Sequence, residues 1–260
     1  MKYKYFYILS LQYLGFRYHG WQKQPNVKTV ELMLEKTLKT VLGHNKFKLL
    51  GSSRTDAMVS ANCHKSEIFI NEDINTEKII EDLNSNLPAD IKALNLEQTD
   101  NNFNIINSSK FKIYTYTFSN EKKANPFSAP FIANFQSQLD IELMKKGAYL
   151  FQGTHFFKRY CYKPDSKKDF VREIFKCEII DNTEFTASFF PSKSYQIVVS
   201  GNGFLHHQVR LIAGALIRLG LHEISLIELK DSLKEEKYKP YPVGFVAPAS
   251  GLMLQNINFD

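Results

Sequence analysis

Cysteine is scarce in this chain, with only Cys63, Cys161 and Cys177. An odd number at unrelated spacings excludes a disulfide framework and a cysteine-based zinc site. Long apolar runs are missing too, and no stretch reaches the roughly 20 residues that a bilayer-spanning helix needs. The opening residues, Met1-Lys2-Tyr3-Lys4-Tyr5-Phe6-Tyr7, run directly into strand-like alternation without a small-residue cleavage site. No signal peptide is expected, and cytoplasm is the default location. The seven histidines contain no HExxH pattern. His206-His207 is the single adjacent pair and reads as neighbours on a helix face, so no metal is expected. Low-complexity tracts and sequence repeats are absent.

What remains is a globular composition. The chain has 260 residues, 43% of them hydrophobic, which suits one large domain or two modest ones with a real core. The formal net charge of +6 is mild, and its distribution says more. Lys158, Arg159, Lys163, Lys167, Lys168 and Arg172 fall close together, opposed only by Asp165 and Asp169 and interleaved with Tyr160 and Tyr162. Basic and aromatic residues mixed in this way fit a surface that holds phosphates and stacks bases. A solvated loop explains the stretch equally well when it is taken alone.

Hydrophobic periodicity divides the chain into elements. Residues 3–14 read as a strand. A helix is predicted over 29–42, with Val30, Leu34, Leu38 and Val41 on one face and Gly43 placed to end it. Strands follow at 46–51 and 64–70, a helix at 76–86 with Pro88 just beyond, and a strand at 91–98. The order β-α-β-β-α-β is the ferredoxin-like, split βαβ arrangement. The second half repeats the order: strand 110–118, helix 140–151, strands 171–180 and 194–199, helix 204–219 and strand 252–259. A further strand is possible at 185–190, and an extra helix is predicted at 224–233. The expected fold class is α+β, with halves 1–103 and 104–260 joining their sheets edge to edge into one mixed, mainly antiparallel sheet. Helices would lie on one face, leaving the other as a cleft for a large ligand such as RNA.

Gly51-Ser52-Ser53-Arg54-Thr55-Asp56-Ala57 lies between the second and third strands. By itself such a loop is an ordinary surface turn, because Asp and Ser form turns and Arg–Asp pairs are common. An Asp carboxylate can also act as a covalent nucleophile. Its neighbours change the balance. Tyr13-Leu14-Gly15-Phe16-Arg17-Tyr18-His19-Gly20-Trp21-Gln22-Lys23-Gln24 resembles the opening signature of the tRNA pseudouridine synthase A family. Ser53-Arg54-Thr55-Asp56-Ala57 resembles that family's Gly-Arg-Thr-Asp-Ala loop, and Asn84-Ser85-Asn86-Leu87-Pro88-Ala89-Asp90-Ile91 its Asn-x-x-Leu-Pro-x-Asp-Ile stretch. Tyr114-Thr115-Tyr116, Gly153-Thr154-His155 and Arg172-Glu173-Ile174 are similar to three further motifs. Gly203-Phe204-Leu205-His206-His207-Gln208-Val209-Arg210 resembles the family's helix start, and Ala247-Pro248-Ala249-Ser250-Gly251-Leu252-Met253-Leu254 its closing segment. The matches run in family order from residue 13 to near the end of the chain.

The resemblance implies two ferredoxin-like halves, in agreement with the order of elements, and a reaction that turns uridine into pseudouridine in the tRNA anticodon stem-loop. It implies Asp56 as nucleophile, Tyr114 as the tyrosine that stacks on the target base and handles a proton, and Arg210 as the arginine paired with the aspartate. It implies that Arg54 helps to hold the flipped nucleotide. Trp21, Gln22 and His207, with Lys158, Arg159, Lys167, Lys168 and Arg172, are the other expected substrate contacts. The expected partners are tRNA and a second copy of the chain, with no membrane. No cofactor or metal is needed, because a C–N glycosidic bond is exchanged for a C–C bond and nothing is oxidised. Arg210 is expected one turn beyond His206 on a helix face shared with Gly214, where another backbone can approach closely. Alternation puts Tyr114 and Tyr116 on the face opposite Phe111 and Ile113, with Tyr116 read as packing.

Several positions depart from the family. Leu14 stands for Asp, Ser53 for Gly, Met58 for Gly, Ser60 for His, Ile105-Ile106 for Ala-Arg, and Leu211 for Asn. A second reading is therefore an RNA-binding or tRNA-folding paralogue with weak or no catalysis.

Overall fold

The computed structural model describes residues 3–165, 169–235 and 243–259. The strands and helices, in chain order, are β1 (Tyr5–Tyr13), α1 (Val30–Leu42), β2 (Phe47–Gly51), β3 (Ser60–Ile70), α2 (Thr76–Asn86), β4 (Ile91–Thr99), β5 (Phe111–Ser119), β6 (Ala133–Asn134), α3 (Ile141–Tyr149), β7 (Gly153–Phe156), β8 (Val171–Asp181), β9 (Tyr195–Gly201), α4 (Gln208–Gly220), α5 (Leu226–Asp231) and β10 (Leu252–Asn258). The fold is α+β with mainly antiparallel strand pairing, the class read from the sequence. The chain forms two compact units, Met1–Lys110 with Met253–Asp260, and Phe111–Leu252.

In the first unit the strands lie in the order β4-β1-β3-β2, the ferredoxin-like sequence of neighbours. β3 is long enough to take two partners along one edge. Its last residues, Ser66 to Ile70, pair with β2, and its first two, Ser60 and Ala61, pair in parallel with Met253 and Leu254 of β10. Leu9, Leu11, Ile68, Ile70, Leu34, Leu38 and Leu83 are buried and make the core between strands and helices. The helix ends follow local chemistry. The Thr29 hydroxyl accepts from the Leu32 N–H, and Gly43 closes α1 in the left-handed conformation at φ 74°. The Asn75 side chain caps α2 in the same way.

The second unit orders its strands β5-β9-β8-β7, all antiparallel, with short β6 alongside β5. α4 is its central helix, buried from Val209 to Gly220 except at Arg210 and Arg218, and α3 packs on it. α5 begins with a capping box, Ser225 and Glu228 satisfying each other's backbone N–H groups.

Three expectations fail here, each for a local reason. Residues 185–190 are not a strand. The Asn182 side chain donates to the Phe185 carbonyl and accepts from its N–H, which offers the backbone a turn in place of a ladder. Phe185 and Phe190 pack on each other and on Phe131. The added strand is β7, paired with β8. The helix predicted from Phe204 starts only at Gln208, because His207 sits at φ 59°, outside the helical region. His206 therefore precedes the helix instead of lying one turn below Arg210 on it. Among the described residues no helix is long and apolar enough to cross a membrane.

Candidate active site

Within the first unit, the candidate nucleophile sits on the loop from β2 to β3. Arg54 is exposed and Asp56 half-buried, while Ser52 and Thr55 are buried. The loop is tied down along its length. The Ser52 N–H and hydroxyl both donate to the Lys65 carbonyl, at 3.0 and 2.7 Å. The Trp21 N–H donates to the Thr55 carbonyl at 3.1 Å, and the Met58 N–H donates to the Tyr18 carbonyl at 2.9 Å. A short turn closes with the Val59 N–H on the Asp56 carbonyl at 3.2 Å. Gly20 makes this approach possible: a Cβ there would lie 2.4 Å from the Thr55 carbonyl oxygen, and its φ is 84°.

The segment 14–21 thus acts as a splint for the loop. It is fixed in turn at its start, where Asp90 accepts hydrogen bonds from Arg17 and from the Tyr18 hydroxyl at 2.7 and 2.6 Å. Burial tends to raise the Asp90 pKa, but these two donors outweigh it and hold the carboxyl below its ordinary value. Burial raises the Tyr18 pKa, with the Asp90 charge adding to it.

The positions that depart from the family have definite surroundings. Met58 adopts φ 67°, a left-handed angle that favours glycine, and its side chain is exposed. Ser60 is buried, and its hydroxyl accepts the Gly15 N–H at 3.0 Å. Ile105 is fully buried with its N–H on Glu67, whereas Ile106 is exposed, and Leu211 is core.

Trp21 and Gln22, both expected among the substrate contacts, differ in setting. Gln22 is exposed, while the Trp21 indole is 2% exposed and stacks on the His64 ring. His64 escaped the sequence reading as a site residue. Its signal was there, since period two carried back from Ile68 and Ile70 puts His64 on the inward face of β3.

Within the second unit, Tyr114 lies on β5, 7% exposed, with its ring edge-to-face against Phe204 at 5.3 Å. Tyr116, on the same face, is wholly buried, as the packing reading expected, and its hydroxyl has no hydrogen-bond partner among the described residues. Burial pushes the Tyr116 pKa up, against the nearby Arg210 charge. Arg210 is half-buried in the first turn of α4, and its Nε donates to the Ala247 carbonyl at 2.7 Å. The expected close approach at Gly214 is present: a Cβ there would meet the Phe245 carbonyl oxygen at 1.9 Å. His207 stacks on Tyr162 at 4.8 Å. In the basic stretch, Lys158 lies over the Phe170 ring, Lys163 over Tyr162, and Arg172 stands 3.8 Å from Asp169. Lys167 and Lys168 lie outside the described residues.

An anchored loop with a half-buried carboxylate and an exposed arginine beside it has the character of an enzyme site. Comparison with known proteins identifies the class. A family model described as tRNA pseudouridine synthase matches residues 10–106 and 148–260. The chain belongs to the tRNA pseudouridine synthase family and is an isomerase. It is 34% identical over 254 residues to tRNA pseudouridine synthase A 2 of Bacillus thuringiensis subsp. konkukian (strain 97-27), with 97% of this chain and 99% of that protein covered. It is also 34% identical over 250 residues to tRNA pseudouridine synthase A of Thermoanaerobacter sp. (strain X514), covering 96% of this chain and 98% of that one. The Asp56 loop and Arg210 fall inside the family match, and Tyr114 falls between its two stretches.

Proposed function

We propose that this chain converts uridine to pseudouridine in the anticodon stem-loop of tRNA, with Asp56 as nucleophile. The observation that carries the reading is the family match together with the retained Arg54-Thr55-Asp56-Ala57 loop. The reaction breaks the bond between N1 of the base and the sugar, turns the base, and joins C5 to the same sugar carbon. The C5 proton leaves and N1 gains one, so atoms balance without a redox partner. A carboxylate suits the role if it stays ionised, and an arginine beside it favours the charged form. Arg210 takes that part. Tyr114 stacks on the base and handles the proton. The target base is hidden in a stem, and flipping it costs of order a few kcal/mol. Arg54 offsets part of that by binding the displaced backbone. The exposed Gln22, His207 and the basic stretch 158–172 complete the tRNA contacts, and two copies of the chain bind as a homodimer in the cytoplasm.

The left-handed angle kept at Met58 supports an active enzyme over a binding-only paralogue, since the loop retains the turn that a glycine would make. The test is to incubate the protein with unmodified tRNA transcripts and map pseudouridine by chemical labelling. Asp56→Asn should give no product while tRNA binding and cooperative unfolding persist. Full activity in that variant removes the nucleophile assignment, and tRNA binding without product in the unaltered protein favours the binding-only reading.

A further inference from the structure

The loop that carries Asp56 alternates in what its residues do. Arg54 is exposed and Asp56 half-buried, whereas the carbonyls of Ser53 and Thr55 are held by neighbouring residues. His64 Nε2 lies 2.9 Å from the Ser53 carbonyl oxygen. A carbonyl only accepts, so Nε2 carries the proton and donates. His64 Nδ1 faces the Ser66 hydroxyl at 3.5 Å. The imidazole is wholly buried and lies nearly parallel to the Trp21 indole, with centroids 3.8 Å apart and planes 23° apart. Trp21 gives its backbone N–H to the Thr55 carbonyl at 3.1 Å. The Tyr13 hydroxyl meets the Thr55 hydroxyl at 2.9 Å, and the Tyr13 ring leans on both Trp21 and His64.

The geometry points to His64 as a positioning residue for the reaction. It holds the Ser53 carbonyl, while Trp21 and Tyr13 hold Thr55, so the backbone on the N-terminal side of Asp56 is fixed at two alternate residues. This rests on Asp56 as the nucleophile. A stacked ring is suited to the task because it resists rotation about its own bonds, and the stack aims its Nε2 donor at Ser53. A small shift of a reacting group away from its productive position can cost about 100-fold in rate. His64 is wholly buried behind the loop, so its effect should fall on the chemical step and leave binding alone.

Two substitutions separate the hydrogen bond from the stack. His64→Phe keeps an aromatic ring against Trp21 and removes the donor to Ser53. His64→Gln keeps an N–H at similar reach and removes the ring. Single-turnover rates with saturating enzyme and an unmodified tRNA transcript are measured beside the tRNA dissociation constant and the thermal unfolding curve. His64→Phe should slow the chemical step about 10- to 100-fold, with the dissociation constant within about threefold of the unaltered protein. His64→Gln should recover the rate to within about threefold. An unchanged rate in His64→Phe overturns the proposal, and so does a His64→Gln rate as low as that of His64→Phe. If His64→Phe unfolds without cooperativity, His64→Leu decides. It keeps the apolar bulk and removes both the ring and the donor to Ser53, so it should show the same loss of rate at constant binding; an unchanged rate there overturns the proposal. Asp56→Asn is run in parallel. Activity retained in Asp56→Asn removes the nucleophile reading, whereas an inactive Asp56→Asn beside a fully active His64→Phe removes this proposal alone.

Discussion

Arg210 and Ala247 hold each other twice: the Arg210 Nε donates to the Ala247 carbonyl at 2.7 Å, and the Ala247 N–H donates to the Arg210 carbonyl at 3.2 Å. The clamp lies one turn from the contact of Gly214 with Phe245, so the 243–247 segment is laid along α4 and the guanidinium is held at its Nε. Arg210→Lys keeps the charge but loses the planar Nε donor and its fixed direction. The expected result is a loss of about 1 kcal/mol in stability and a single-turnover rate at least about tenfold lower. Urea unfolding and single-turnover assays check the two parts, and an equal rate in the lysine variant would mean that charge alone suffices.

Met58 holds an L side chain at φ 67°. That conformation costs about 1–2 kcal/mol for a residue with a Cβ, while glycine gives back about 0.5–1 kcal/mol in unfolded-chain entropy. Met58→Gly should therefore stabilise the protein by about 0.5–1 kcal/mol. The backbone already has the turn, so the rate should stay within about threefold. Urea midpoints and single-turnover assays test this; a tenfold rise in rate would show that the Met58 side chain obstructs the substrate.

Glu67 is 1% exposed on β3. Its Oε2 accepts the Ile105 N–H at 3.3 Å, and its Oε1 has no partner among the described residues. Burial raises its pKa, with the Ile105 N–H and the Lys48 charge pulling the other way. For a group whose folded pKa lies above its unfolded value, the related stability is present below the unfolded value, about 4.3. It is lost as pH rises through the folded one. Glu67→Gln carries no charge and keeps an acceptor for Ile105. At about pH 8 the variant should be more stable than the unaltered protein by about 1–3 kcal/mol, and the gap should close near about pH 4. Urea unfolding at the two pH values measures it, and a gap that does not change with pH would rule out the charge as its cause.

Much of this fold was legible because its signals are local. Pro88 beyond α2 and Gly43 after α1 mark helix ends by backbone chemistry that needs no tertiary partner, and α2 spans 76–86 as read. The start of α4 was misplaced because the periodicity of Leu205 and Val209 runs straight through His207, whose left-handed backbone no hydrophobic pattern reveals. β7 was missed because four residues are too few for alternation to register. In the candidate site, the loop residues could be named from their motifs. Their supports could not, since the stack of Trp21 on His64 joins positions 43 residues apart and depends on how β3 lies beside the 14–21 segment.

The basic stretch gives the last prediction. Two of its described members, Lys158 and Arg172, have no close carboxylate partner among the described residues, although the Arg172 Nη1 donates to the Val171 carbonyl at 2.6 Å. Lys158 Nζ sits 5.7 Å from the Phe170 centroid, and Arg172 is 3.8 Å from Asp169, too far for a hydrogen bond. Neither charge is neutralised by a close carboxylate among those residues, so both can exchange solvent ions for phosphates, Arg172 with the guanidinium N–H groups that Val171 does not take. Each phosphate contact with RNA adds roughly 0.7–0.9 to the slope of log affinity against log salt. Lys158→Gln with Arg172→Gln should lower that slope by about 1.5 and weaken tRNA binding at low salt, without changing the single-turnover rate at saturation. Lys78→Gln is the control, because Lys78 belongs to α2 and pairs with Asp82 at 3.1 Å. Filter binding across a salt series measures the slopes. A double variant that keeps the slope of the unaltered protein returns the stretch to an ordinary solvated loop.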